Sequence, residues 1–256
     1  MECTFVGTAS GAPDPERSHA ALYVEIEGAG ILLDAGEGTA RAFLRHGIST
    51  DRLGTIIVTH THPDHISGLP MLLLAMHLEK HEAPVAIYLP ADRCDWLGRL
   101  LHGMYIFEER WSFPFSIQPL PLGGLRLSGG AEITFFETNH LGKVRAVAAR
   151  YGFGATSYGI ILSIPGGRCV VSSDIESLAD IADVIGRPCT LIIEGTHLPI
   201  ASIEELARLR EDLHIYVTHL PPGINGGTEL PSRTSVREAE KGMTIAFDGM
   251  KIHLGS

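Results

Sequence analysis

Long apolar runs are missing from this chain of 256 residues. None approaches the roughly eighteen residues that a membrane-spanning helix needs. The opening Met1-Glu2-Cys3-Thr4-Phe5 has no basic stretch ahead of an apolar one, so no secretory leader is expected. Cysteine is scarce: the four thiols, at 3, 94, 169 and 189, form no CxxC pair. That favours buried, reduced thiols in a cytoplasmic setting over disulfides. Cations are few as well, with 20 Lys and Arg against 30 Asp and Glu, a net charge of −10 with histidine neutral. No dense run of lysine or arginine breaks this balance. Duplex and tRNA binders usually show a basic face, so nucleic acid is disfavoured as a partner, and no membrane association is expected. Internal repeats and low-complexity linkers are also missing. The length fits one large α/β domain or two, and the reading here is a single domain over residues 1–256.

Histidine is where the chain is rich. Thr59-His60-Thr61-His62-Pro63-Asp64-His65 follows the apolar run Thr55-Ile56-Ile57-Val58. Side chains alternate along a strand, so His60 and His62 leave it on the same side. Pro63 keeps His62 extended. Ser67-Gly68 then reads as the cap of a helix from Leu69 to Leu78. Imidazole and carboxylate are ligands for zinc, manganese or iron, so the cluster reads as half of a two-metal cage; the alternative is a solvated polar loop. Four later apolar runs also end in ligand-type residues. Glu132 to Phe136 leads to Thr138-Asn139-His140, and Arg168 to Ser173 leads to Asp174. Leu191 to Ile193 leads to Glu194-Gly195-Thr196-His197, and Ile215 to Val217 leads to Thr218-His219. Sites in α/β proteins are built at such strand ends.

The remaining order is consistent with this. Glu2 to Gly7, Ala20 to Glu27 and Gly30 to Asp34 read as opening strands and Thr39 to His46 as a short helix. The strand at Thr55, the helix from Gly68 and the strand Val85 to Leu89 read as a βαβ unit, and Ala91 to Leu101 as a helix. Residues 111–130 read as loop and edge strand. Strands are expected to dominate from there to Ser172, with helix and strand alternating from Glu176 onward.

With those residues in place, the chain resembles the metallo-β-lactamase-fold hydrolases. Their pattern of His-x-His-x-Asp-His, a lone His, an Asp and a final His is matched in order. The resemblance implies an αββα four-layer sandwich. It also implies one metal held by His60, His62 and His140, a second held by Asp64, His65 and His219, and Asp174 as the bridge. Leu32-Leu33-Asp34-Ala35-Gly36-Glu37-Gly38-Thr39, and Gly7-Thr8 with Pro13 and Arg17, resemble the opening of ribonuclease Z-type members. Asp34 at a strand end would orient a ligand histidine through its second ring nitrogen, or is a turn residue. Glu37 is read equally as such a partner or as solvated. Glu194-Gly195-Thr196-His197 resembles the phosphodiesterase of the carbon–phosphorus lyase pathway, where a histidine assists departure of the leaving oxygen.

Two departures matter. Ribonuclease Z carries a long tRNA-gripping arm, in many members between the lone His and the bridging Asp. Here only residues 141–173 lie there, and they read as compact strands and turns that leave no room for an arm. Leu220-Pro221-Pro222-Gly223 also replaces a Ser- and Arg-bearing loop, and the structural zinc loop of the carbon–phosphorus lyase member is missing.

The expected function is therefore a dinuclear hydrolase, a phosphodiesterase acting on a small phosphodiester or nucleotide through a metal-bridging hydroxide. Two divalent ions are expected, zinc first, with manganese or iron as alternatives. Asp64, His197 and Glu194 are the expected catalytic residues. His197 would protonate the leaving oxygen, and Glu194 would hold its imidazole. Rival readings are a tRNA 3′ endonuclease, a lactone, ester or thioester hydrolase, and a non-catalytic metal-binding accessory protein. His77 and His81, four apart, are read as helix-surface residues. Tyr105, Phe107, Trp111, Phe113 and Phe115 would wall a substrate pocket, fill the core or form the face of a homodimer.

Overall fold

The computed structural model describes residues 1–186, 189–223, 238–239 and 242–254. Six helices and fifteen strands are labelled in chain order. The strands of the first sheet are β1 (Glu2–Gly7), β2 (Ala21–Ile26), β3 (Ala29–Leu33), β4 (Leu53–Ile57), β5 (Val85–Leu89) and β6 (Phe115–Pro119). Those of the second are β7 (Leu125–Arg126), β8 (Glu132–Thr138), β9 (Ser157–Ile164), β10 (Gly167–Val171), β11 (Cys189–Glu194), β12 (Leu213–Thr218), β13 (Glu238–Ala239) and β14 (Met243–Ile245). The last strand, β15 (Lys251–His253), returns to the first sheet. The helices are α1 (Thr39–His46), α2 (Pro63–Ile66), α3 (Leu69–Leu78), α4 (Cys94–Gly103), α5 (Arg145–Arg150) and α6 (Ile200–Leu209).

The first sheet runs β15-β1-β2-β3-β4-β5-β6 and the second β13-β14-β12-β11-β10-β9-β8-β7. In each, an antiparallel set changes into a parallel one, at β3–β4 and at β10–β11. Alternation decides the layers. Along β1, β3 and β10 the residues Cys3, Phe5, Ile31, Leu33, Cys169 and Val171 fill the space between the sheets. Their neighbours Val6 and Leu32 turn outward under α1, α3 and α4, and Val170 turns outward in the layer beneath α6. Period-two alternation with apolar residues on both faces is what two buried sheet faces require. The outcome is an αββα sandwich. All four cysteines are free, and burial pushes the Cys3 thiol up to about 12. Among the described residues no helix is long and apolar enough to cross a membrane.

Several expectations need correction. The helix at Ala91 begins as a 3-10 turn, Ala91–Arg93, and α4 continues to Gly103. Ser67 does not cap α3: a helical turn already runs from Pro63 to Ile66, and the helix start is held instead by the Gly68 N–H donating to the Ala35 carbonyl at 2.9 Å. Gly68 is needed there because a Cβ would run into the carbonyl of Gly36. Residues 141–156 are not strand and turn alone. They form a 3-10 turn, Gly142–Val144, and then α5, which buries no residue. A run of alanines supplies the helix propensity without an apolar face for a pattern to reveal. Residues 224–237 of the expected closing alternation lie outside the described residues.

Candidate metal centre

The ligand-type side chains gather where strands of both sheets end. Thr59 and His60 continue β4, and His62 stays extended at φ −62 and ψ 147 before Pro63 opens α2. The turn after β8 brings His140, with Asn139 clamped by Asp180, which accepts its backbone N–H at 3.0 Å and its amide at 2.8 Å. The Thr138 hydroxyl donates to the Asp174 carbonyl at 2.9 Å, joining that turn to the one after β10. Ser173 and His219 both adopt left-handed backbone conformations, at φ 50 and φ 52, as does Asp34 at φ 59. Such strain in non-glycine residues persists only where surrounding contacts fix it, and it concentrates at functional sites.

The side chains form two groups around one carboxylate. His60 Nε2 lies 3.1 Å from His62 Nδ1, which lies 3.0 Å from His140 Nε2. Asp174 Oδ2 faces this group, 3.8 Å from His60 Nε2 and 3.4 Å from His140 Nε2. Asp174 Oδ1 faces the other group, 3.3 Å from His65 Nε2 and 3.4 Å from His219 Nε2. Asp64 Oδ2 completes it at 3.7 Å from His65 Nε2 and 3.6 Å from His219 Nε2. Each group is close enough to share one cation.

The donor set fits divalent cations on two observations. His65 binds Asp34 Oδ2 through Nδ1 at 2.7 Å, so its Nε2 is turned to Asp174 Oδ1 at 3.3 Å. Both atoms are buried, and neither has a hydrogen-bond partner. A buried carboxylate oxygen without a partner calls for positive charge beside it, from a proton or a cation. The second observation is the charge that the pocket calls for. Burial alone lowers His65, but Asp174 and Asp34 outweigh it and hold His65 well above the usual histidine range. Burial likewise raises Asp174, yet His65 and His219 hold it well below the usual carboxylate range. His60, His62 and His140 are all lowered by burial, His140 to about 4, and so present neutral imidazoles. Neutral imidazole is the form that ligates metal.

Asp34 is buried and fixes the second group. Besides His65 it accepts the Thr59 N–H at 2.7 Å and the Thr59 hydroxyl at 2.9 Å. Glu37 is solvated, its side chain 64% exposed and 3.8 Å from His19. Removing the carboxylate orphans the buried Nδ1–H and frees the ring to turn. Asp34→Ala is expected to weaken metal binding by roughly 10–100-fold while the fold persists, measured by chelator competition. Unchanged affinity would mean that packing alone orients His65.

His197 stands at the rim, 37% exposed, with Nδ1 3.4 Å from Glu194 Oε1 and 3.9 Å from Asp174 Oδ2. Glu194 is buried; its Oε2 accepts the N–H groups of Thr196 and His197 at 2.7 and 2.8 Å. The hydrogen bond with Glu194 raises the His197 pKa above the usual histidine value. Beneath the cage a cavity of about 50 Å³ opens between the sheets, lined by His65, Asp174, Glu194 and His219 among others.

Other expected residues lie elsewhere. Phe113 and Phe115 are core, and Trp111 packs against that core. Tyr105 is 82% exposed. None of the five aromatics lines the cavity under the cage. His77 lies on the surface of α3, half-buried and stacked on Trp111 at 4.4 Å, whereas His81 is not a helix-surface residue: it lies beyond α3, buried against Phe113. Apolar burial there outweighs the helical spacing that suggested a shared face.

Comparison with known proteins agrees with this geometry. Ribonuclease Z of Pyrococcus abyssi is 36% identical over 141 residues, 55% of this chain and 45% of that protein. The chain spans about half the length of the curated relatives it matches. A metallo-β-lactamase-fold protein from Bacillus subtilis superposes with a TM-score of 0.70 at 17% identity, covering 98% of each chain. A diphosphatase of the PhnP family gives 0.69 at 19% identity, covering 98% of this chain and 97% of that one. The fold is thus the metallo-β-lactamase fold. A family model described as anti-Pycsar protein Apyc1 matches residues 1–231.

Proposed function

The chain belongs to the anti-Pycsar Apyc1 family, and from that premise we propose that it is a dinuclear metal-dependent phosphodiesterase acting on a small phosphodiester or nucleotide. One observation carries the reading: the two oxygens of Asp174 face two separate ligand groups. His60, His62, His140 and Asp174 would hold one divalent ion, and Asp64, His65, His219 and Asp174 the other. Zinc suits an all-histidine-and-carboxylate set first, with manganese or iron as alternatives. Bound cations of this kind supply a hydroxide nucleophile at neutral pH and neutralise the charge that builds on phosphate oxygens.

The protein's own residues complete the reaction. His197 turns Nδ1 toward Glu194 Oε1, at 3.4 Å. Glu194 raises the pKa of the ring and so favours its protonated form, and the ring would pass that proton to the departing oxygen. Glu194 keeps the ring in register through an oxygen that is buried and otherwise unpartnered. Asp34 and Thr59 hold the second ligand group in place.

A small substrate is supported by the net charge of −10 and by the short, compact segment between His140 and Asp174. The ribonuclease Z relatives favour a second reading, a tRNA 3′ endonuclease. The two separate on one comparison: small diesters such as bis-p-nitrophenyl phosphate should be turned over, and precursor tRNA cleaved weakly or not at all. Any tRNA binding should fade steeply with salt, since only nonspecific phosphate contacts would remain. Tight binding at physiological salt with accurate 3′ cleavage would establish the second reading instead.

A further inference from the structure

His219 is held in its strained conformation from both sides. The Thr196 hydroxyl donates to its carbonyl. On the other side, both backbone groups of Leu220 are taken by the N-terminal loop: its N–H donates to the Thr8 carbonyl at 2.9 Å, and its carbonyl accepts the Ser10 N–H at 3.1 Å. Arg17, braced by Asp14 at 2.8 Å, donates to the Pro221 carbonyl at 3.1 Å. The loop that does this holding has its two ends at Thr8 and Ser18, and both ends are stapled by one distant carboxylate. Asp248 Oδ1 accepts the Thr8 N–H at 2.9 Å and the Thr8 hydroxyl at 2.8 Å, while Oδ2 accepts the Ser18 N–H at 2.7 Å.

We infer that Asp248 is a positioning residue for His219: by closing the Thr8–Ser18 loop it fixes Leu220 and, through it, the second metal-ligand group. This rests on the dinuclear reading proposed above. Two features separate this role from general support. The turn that carries Asp248 is anchored without its carboxylate, since the Gly249 N–H donates to Phe5 and the Phe5 N–H to Met250, at 2.7 and 2.9 Å. In addition, the loop makes its contacts immediately after His219, whereas His60, His62 and His140 stand on other strand ends.

The test is stepwise zinc binding by chelator competition in the full chain, with His219→Ala marking the step that belongs to the second group. Asp248→Asn keeps the size of the side chain but sets an amide donor against one of the three N–H and O–H groups. It should weaken the step that His219→Ala abolishes by roughly 10–100-fold and leave the other step unchanged. Thr8→Val removes one hydroxyl alone and should weaken the same step by less, and it decides the matter if Asp248→Asn does not fold. Equal weakening of both steps, weakening confined to the other step, or no change in a folded variant would overturn the inference. Absence of zinc binding in the unaltered chain would instead overturn the dinuclear reading beneath it.

Discussion

Replacing Asp174 with alanine is expected to empty both metal positions at once and abolish turnover. Its two oxygens address different ligand groups, at 3.4 Å on one side and 3.3 Å on the other. Among the described residues Asp174 is the carboxylate grouped with His60, His62 and His140, and Asp64 lies with the second group. The variant should still fold: removing a buried carboxylate also relieves the positive charge that it demands, and the three apolar layers are untouched. Elemental analysis beside circular dichroism checks both parts. Full occupancy of either position in a folded variant would show that Asp174 is not shared.

The second large effect concerns His197, and it should depend on the leaving group. An alkoxide must gain a proton as it departs, and general acid catalysis of that kind is typically worth about 10²–10⁴-fold. A nitrophenolate leaves without help. His197→Ala should therefore slow hydrolysis of an alkyl or nucleoside diester by that factor and affect bis-p-nitrophenyl phosphate far less, with metal content unchanged. Glu194→Gln should reproduce a milder form of the same pattern, because Glu194 Oε1 lies against the His197 ring at 3.4 Å. Equal losses on both substrates would assign His197 to phosphate binding. Loss of a metal ion would make it a ligand.

What could be read from the chain divides along physical lines. His60, His62, Asp64 and His65 were legible because one strand-to-helix turn carries all four, and local spacing fixes their mutual direction. His140, Asp174 and His219 were legible as ligand-type residues closing apolar runs, but their convergence rests on sheet order, which no local pattern encodes. Asp34 was half legible: its strand end was clear, but its partner His65 lies 31 residues on. Asp180 and Asp248 were not identified. A lone aspartate has no periodicity, and the partners of Asp248 at Thr8 lie 240 residues away. The helix α5 was missed because it buries nothing. His81 was misplaced because the end of α3, not its spacing from His77, sends it into the apolar layer.

The most direct test is the metal dependence of phosphodiester hydrolysis in the unaltered chain. Protein stripped with a chelator should be inactive toward bis-p-nitrophenyl phosphate. On titration with zinc, turnover should rise to a plateau near two equivalents per chain, and elemental analysis at the plateau should find the same number. A plateau at one equivalent, or turnover that survives complete removal of metal, would contradict the dinuclear centre built around Asp174.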